Sequence, residues 1–545
     1  MASLLFHRLL ECAKAIEGGN VDVADSLLAE IQSLASKEES IWTRKVVKYF
    51  AEALVRRAYG IRPPCPLPSL PLLFPPIHYM YELFYQFAKI TNKHVLADAL
   101  NSGNKRLHVI DFSIVFGFPQ WNSLIKELKE QYGGLQSVLI TSIAPKLSKH
   151  SAYLRQNREW ARKVEGKNFE LRQLICNSPE DIVNCISKLR RQRKGEMVVV
   201  NWYFTLHKLL AQDGAMEQVL SKVKDLGADI MVIVEQEANL NSPDLSERLE
   251  QSFQHYSPFF ESLEEDYHRN VLWEMYFRRQ IGNVVACEGV DRVERIESFA
   301  QWQNRLSQAG FCPVPQKANK FDEEIVIEEK EGHNILLRRS GCPLAVASVW
   351  KVTDPPQFSG GLYTMQDTVE DSEGMDTVDD SEGMASSSES EDDEEKDSLV
   401  CIMADRNLWS TQGSSMNRIA ASAKLYDILE YICDLHRLPL AVTWISYGQD
   451  GNTNSKGKRI LRIDDSACYV NNWSMGKFVD EYARHHLEEG QGIAGRALQS
   501  NIHIQHDISV LDPAEFPHAS NLSIWHNRNF HAVFAIRLTS TTLPG

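Results

Sequence analysis

The sequence has no long apolar run. One of the longest, IMVIV from Ile230 to Val234, is far short of the roughly 20 apolar residues a helix needs to cross a bilayer, which argues against a membrane span. The opening MASLLFHRLLECAKAIEGG lacks a basic leader followed by a cleavable small-residue site, so an intracellular protein is expected. The ten cysteines include no CxxC pair and no zinc-like Cys/His spacing. Reduced, mostly buried thiols are expected, and structural zinc is not. Dense positive charge is also scarce. KLRRQRK is the one such cluster, with Lys188, Arg190, Arg191, Arg193 and Lys194. It suits the C-terminal end of a solvated helix, and it also suits a nuclear-import patch.

Negative charge, by contrast, is concentrated. Asp367 to Met384 reads DTVEDSEGMDTVDDSEGM, a nine-residue unit written twice with Glu370 exchanged for Asp379. From Asp367 to Asp397 there are fifteen Asp or Glu against one Lys, so this ribbon holds −14 of the formal −15. It has no aromatic and almost no aliphatic side chains, and cannot bury enough apolar surface to offset the entropy of ordering it; a disordered linker is expected. Ser372, Ser381, Ser386, Ser387, Ser388 and Ser390 lie among carboxylates, a setting acidophilic kinases favour. Two repeats are too few for a solenoid. The ribbon reads as a self-repelling tether that keeps two independently folded domains apart while holding them at high mutual concentration.

Before the ribbon, helical periodicity comes first. Leu5, Leu9, Cys12, Ala13 and Ile16 share one face, Ala24, Leu27, Leu28, Ile31 and Leu34 a second, and Val47, Phe50, Ala51, Leu54 and Ala58 a third. The prolines of RPPCPLPSLPLLFPP, Arg62 to Pro76, require an extended crossing. From Arg106 the period changes. LHVIDF, SVLITSIA, EMVVVNW and ADIMVIVEQEAN are short β-rich runs separated by helical stretches, the signature of a mainly parallel sheet covered on both faces.

Ligands of such sheets bind where strands end, which sets Asp111, Asn201, Glu235 and Glu237 on one rim. A methyltransferase-like site is the obvious catalytic reading. The loop FSIVFGFPQW argues against it: Gly117 is its only glycine, and Ile114, Val115 and Phe116 would block close backbone approach by a bulky cofactor. Asp111 is instead expected to cap the next helix or satisfy loop amides, with Glu235 and Glu237 organising the rim through hydrogen bonds. LHKLL, Leu206 to Leu210, fits LxxLL, but core packing is the favoured reading.

These residues carry a resemblance. LHVIDF with its downstream QW (Leu107, His108, Val109, Ile110, Asp111, Gln120 and Trp121) resembles the VHIID motif of the GRAS family of plant transcriptional regulators. VNWYFTLHKLL resembles the opening of that family's second leucine-rich region, and the segments Val232–Glu264, Arg278–Leu306 and PLAVASVW resemble its later blocks. Within the family the likeness is to the DELLA branch, including ADSLLAEIQSLASKEESIWTRKVVKYFAEALVRR near the start. The resemblance implies a helical cap on a Rossmann-like, methyltransferase-related doubly wound sheet, with no enzymatic activity and no cofactor. It also implies work in the nucleus through contacts with transcription factors and other regulators, with a dimer of GRAS chains and weak DNA contact as further partners. The DELLA segment itself is not found, so a degradation switch tied to it is not expected. The family's G-x-QWP turn is altered, with Pro119 inserted and Asn122 where proline is expected.

Beyond the ribbon, SAKLYDILEYICDLHRLPLAVTWISY reads as an amphipathic helix (Leu425, Ile428, Leu429, Ile432, Leu435) running into a strand, with further strands in RILRIDDSACYV and FHAVFAIRLTS. A compact α+β domain follows. Gly490, Gly492 and Gly495 satisfy GxGxxG, but they follow the helical-looking EYARHHLEE, so dinucleotide binding is not expected. Adjacent His485 and His486 point apart on a helix and cannot chelate one metal. LYDILEYICDLHRLPLAVTW, DSACYV, HHLEEGQGIAGRAL and AVFAIRL resemble, in order, the GAF-like domain of plant NIN-like proteins. That resemblance implies a nitrate-sensing module with His436, Leu438 and Tyr469 at the ligand positions, the imidazole partly buried; the family's RWP-RK and PB1 domains are not found. The domains expected are 1–352 (cap 1–105, α/β core 106–352), a linker 353–398, and a GAF-like domain 399–545.

Overall fold

The computed structural model describes residues 2–63, 87–89, 91–97, 105–112, 121, 124–128, 130, 136–144, 169–189, 196–262, 271–315, 325–330, 334–339, 342–353, 397–404, 414–436, 438–446, 460–470, 479, 486–500, 502–505 and 530–538. Most of the acidic ribbon, the proline-rich crossing beyond Pro63 and the loop from Ser113 to Gln120 lie outside them.

Three helices open the chain, α1 (Ala2–Glu17), α2 (Val21–Ala35) and α3 (Ile41–Ala58). The anticipated stripes do pack: Leu5, Leu9, Cys12 and Ala13, then Ala24, Leu28 and Ile31, then Val47, Phe50, Ala51 and Leu54 are all buried. Ala58 is exposed, at the fraying end of α3. Ser40 starts α3 by accepting the Thr43 amide at 3.2 Å, satisfying one of the donors that a helix leaves free at its first turn.

The four apolar runs form parallel strands β1 (Arg106–Asp111), β2 (Ser137–Ala144), β4 (Glu196–Tyr203) and β5 (Ile230–Gln236). A fifth parallel strand, β3 (Phe169–Ile175), carries too many polar residues to stand out as a run. Strands β6 (Phe311–Val314), β7 (Ile325–Lys330), β8 (Asn334–Arg339) and β9 (Cys342–Val352) complete the sheet. Its order is β3-β2-β1-β4-β5-β9-β8-β7, with β6 on β9 and the β9 pairings antiparallel. Helices α6 (Leu245–Ser262) and α7 (Val271–Ala286) join the first three helices on one face. Helices α4 (Pro179–Lys188), α5 (Ala215–Asp225) and α8 (Phe299–Gln308) cover the other. The sheet is therefore doubly covered, and the order reverses between β1 and β4, the crevice where such sheets present their ligands.

The C-terminal sheet runs β14-β12-β11-β10-β16-β15, with β13 on β11. Its strands are β10 (Asp397–Ala404), β11 (Leu440–Ser446), β12 (Ile460–Ile463), β13 (Tyr469–Val470), β14 (Leu487–Glu488), β15 (Ile502–Gln505) and β16 (Phe530–Leu538). Strand β10 begins at Asp397, two residues inside the expected linker. Helix α9 (Ser415–His436) departs from its anticipated stripe. Leu425 and Leu429 are buried, but Ile428 and Leu435 are exposed, while Met416, Ala423, Tyr426 and Cys433 are buried instead. The cause is that α9 is covered on two sides, by its own sheet and by α2 and α3 of the N-terminal block. The blocks are thus in contact, contrary to the expectation that a tether keeps them apart.

The glycine motif also needs correction. It follows a strand, β14, and not a helix, and helix α10 (Gly492–Ser500) starts within it. Strand β14 pairs antiparallel with β12 and the strand after α10, β15, pairs antiparallel with β16, so among the described residues the motif does not sit in a parallel βαβ unit. Gly490 has φ +86°, and a Cβ on Gly495 would stand 2.5 Å from the Glu488 carbonyl oxygen. The glycines serve a tight turn packed on its own backbone.

Candidate functional site

At the β1/β4 crevice, Asp111 is 1% exposed and its Oδ2 accepts the indole N–H of Trp121 at 2.7 Å. The QW element is therefore joined to the end of the VHIID strand by an indole–carboxylate bond; the loop whose amides Asp111 was expected to satisfy lies outside the described residues. Leu107 and Val109 face the cap helices, while Ile110 faces the other core. His108 is buried, its Nε2 2.9 Å from Thr141 Oγ1. Burial lowers its pKa, an effect that Glu196 opposes. Gln120 lies outside the described residues, as do Ile114, Val115, Phe116 and Gly117.

One strand further, Phe204 takes a left-handed backbone (φ 52°), a conformation rare for a non-glycine residue, and turns the chain out of β4. The turn directs the amides of Leu206 and His207 onto Glu235 Oε1, at 2.8 and 3.3 Å. Glu235 Oε2 lies 2.8 Å from His207 Nδ1, and Glu294 Oε2 lies 3.0 Å from Nε2. All three side chains are fully buried. Burial alone would lower the pKa of the imidazole, but the charges and hydrogen bonds of Glu235 and Glu294 raise it to about 9. Burial would likewise raise the pKa of Glu294, yet Lys208, His207 and Gln280 hold it at about 2. The His207 ring thus sits between the carboxyl groups of Glu235 and Glu294, which favour its protonated form, with Lys208 Nζ 3.6 Å from Glu294.

A layer of neutral polar groups surrounds the clamp. Gln280 donates to Glu294 Oε2 at 2.9 Å and to Tyr276 Oη at 3.0 Å, and Gln236 and Tyr256 donate to Gln280 Oε1, each at 3.3 Å. His255 donates to Gln236 Oε1 at 2.9 Å, and burial with no compensating charge lowers its pKa to about 3, so it is neutral. Glu237 accepts the first amide of α8, from Phe299, at 2.9 Å. Both rim glutamates thus hold local backbone in place. Chemically, the arrangement fixes the shape of a strand-end loop, with Asp111 and Glu235 both buried and hydrogen-bonded.

LHKLL forms a short 3-10 helix, Leu206–Ala211, with Leu206 and Leu209 buried. Its leucines drew attention in the sequence, but its histidine matters more. His207 and Glu294 gave no spacing signal: the histidine stands 28 residues from Glu235 and 87 from Glu294.

The other anticipated positions are scattered. Lys188 is the last residue of α4, while Arg190, Arg191, Arg193 and Lys194 lie outside the described residues. His436 ends α9 and is exposed, where a partly buried imidazole had been expected; Leu438 and Tyr469 are buried. Tyr469 pairs with Ala441 across β11 and meets Tyr426 edge-on, with centroids 5.8 Å apart.

Comparison with known proteins places these features. Residues 5–351 match the GRAS domain family, and residues 412–543 match the NLP protein GAF domain. The DELLA protein GAIP of Cucurbita maxima is 38% identical over 371 residues, covering 65% of this chain and 63% of that protein. The DELLA protein RGA of Arabidopsis thaliana is 36% identical over 374 residues, covering 64% and 62%. The chain therefore spans a little under two thirds of the length of these relatives. The crystal structure of SCL7 from Oryza sativa is similar with a TM-score of 0.53 and 25% identity, covering 64% of this chain and 99% of that one.

Proposed function

We propose, since this chain belongs to the GRAS domain family, that it is a plant transcriptional regulator whose N-terminal block works through contacts with other proteins and catalyses no reaction. The observation that carries this reading is the use made of the rim. Asp111 and Glu235, the acids a catalytic site would need there, are buried and engaged by Trp121, His207 and backbone amides. A carboxylate held in this way is a poor general base, because reaction would first require breaking the bonds that shape the loop.

In this reading the protein acts in the nucleus, with the cluster from Lys188 to Lys194 as its import patch, and its partners are transcription factors and related regulators. The GAF-like block is an input module for a small planar anion such as nitrate, with His436 and Tyr469 as donors beside apolar Leu438.

The test is to fuse the full chain to a heterologous DNA-binding domain at a reporter promoter in plant cells, beside a methyl-transfer assay with S-adenosylmethionine. A contact-driven regulator changes reporter output and transfers no methyl group. An unchanged reporter, or turnover lost in Asp111→Asn, overturns the proposal. For the input, calorimetry of the full chain with sodium nitrate against sodium chloride should give saturable heat that Tyr469→Phe reduces.

A further inference from the structure

Between the two blocks lies a seam built on arginine. Arg56 of α3 is 3% exposed and grips Asp427 of α9 through two parallel bonds, Nη1 to Oδ2 at 2.8 Å and Nη2 to Oδ1 at 2.7 Å. The same guanidinium donates to the Ala423 carbonyl at 3.2 Å. Arg278 of α7 is held by Glu52 at 2.7 Å, donates to the Ser466 carbonyl at 3.0 Å and lies 3.6 Å over the ring of Tyr426. Arg279 pairs with Glu430, and Lys48 with Asp465 at 2.9 Å.

Among these ion pairs the charges balance across the seam. On the cap side Lys48, Arg56, Arg278 and Arg279 stand against Glu52, a net +3, and Asp427, Glu430 and Asp465 answer with −3. At the other end of α9 the cap completes the helix itself. Asp25 of α2 accepts the Met416 amide at 2.7 Å and the Ser414 hydroxyl at 2.6 Å, so a carboxylate from one block caps the first turn of a helix in the other.

We infer that the cap face formed by α2, α3 and α7 is a recognition surface for a helix that presents carboxylates on one face, and that α9 of this same chain is its resident occupant. Three features point to that occupant. The arginines are planar forks matched to carboxylates, and a purely apolar partner would leave Arg56 and Arg278 buried with Glu52 as a single shared counter-charge, at high cost. The helix start is capped from across the seam. The segment between Thr353 and Asp397 joins the two sides covalently, so docking proceeds at the high effective concentration of a tethered pair. Any other such helix reaching this face has to displace α9.

The experiment uses the full chain with a specific protease site placed in the acidic ribbon. The protein is purified intact, cleaved, and run by size exclusion at tens of micromolar. The two pieces should co-elute as one complex. Asp427→Asn and Glu430→Gln, each preserving shape, should weaken their association by roughly 30-fold or more, because each takes a carboxylate away from a buried arginine, Arg56 being left with Glu52 alone. Ile428→Ser, on the exposed face of α9, should leave it unchanged. Separate elution of the wild-type pieces overturns the inference. So does association that Asp427→Asn and Glu430→Gln both leave within about threefold, or an equal loss in Ile428→Ser.

Discussion

The clamp at the rim and the seam between the blocks use the same ingredients, buried carboxylates against buried cations, to opposite ends. Around His207 every acid comes from one folded block, and its partners fix a loop within that block. Along the seam the cations sit on one block and most acids on the other, so pairing is completed only when the two meet. The difference teaches where rigidity and recognition reside. A closed set of charges holds a shape; a divided set specifies a partner.

The largest expected effect breaks the closed set. Glu294→Gln leaves the imidazolium with one carboxylate inside a fully buried site, and should cost about 3–5 kcal/mol in denaturant unfolding of the full chain. A loss under about 1 kcal/mol, the worth of an exposed pair, would mean that the clamp is solvated.

The pH dependence separates the closed set of charges from the divided one. His207 is raised from 6.5 to about 9, so its contribution is fully present below 6.5 and is lost as pH rises through 9. Glu294 is lowered from 4.5 to about 2, so its contribution is present above 4.5 and is lost as pH falls through 2. The alkaline loss is on the order of 3 kcal/mol, and His207→Gln should abolish it in melts recorded between pH 6 and about 9.5. Seam variants should keep it.

Smaller still is the effect of opening the divided set. Asp427→Asn should cost about 2 kcal/mol of docking, read by calorimetry as a wider separation between two melting transitions, with the clamp's alkaline loss unaltered. Smallest is His436→Ala. The side chain is exposed at the end of α9, so melting should shift by less than about 0.5 kcal/mol, even if nitrate binding is reduced.

The legible parts of the fold were those written in local patterns. LHVIDF, SVLITSIA, EMVVVNW and IMVIV are strands because a buried parallel strand must be apolar on both faces, and the stripes of α1 to α3 follow from one-sided burial. Strand β3 does not stand out in the sequence because FELRQLI mixes polar and apolar residues at the sheet edge. Helix α9 is legible but its buried face is not, since periodicity marks one buried side and α9 has two. EYARHHLEE resembled a helix, yet its end pairs with β12 as a strand.

The candidate site was half legible. Asp111, Glu235 and Glu237 could be assigned to a rim from strand-end position, and the hydrogen-bonding role anticipated for the two glutamates matches the bonds they make. Their chief partners could not be read. His207 and Glu294 are 87 residues apart, and Arg56 and Asp427 are 371 apart. No helix or strand period spans such distances; only the folded chain joins them.

The most direct test of the central claim, that the acids of the rim are occupied in holding the loop and are not available to a substrate, is the nitrogen NMR spectrum of selectively labelled histidine in the full chain, with His207→Gln to assign the signal. The account predicts a doubly protonated His207 at pH 7 that titrates near 9. A neutral imidazole at pH 7, titrating near 6.5 as an open histidine does, would contradict it.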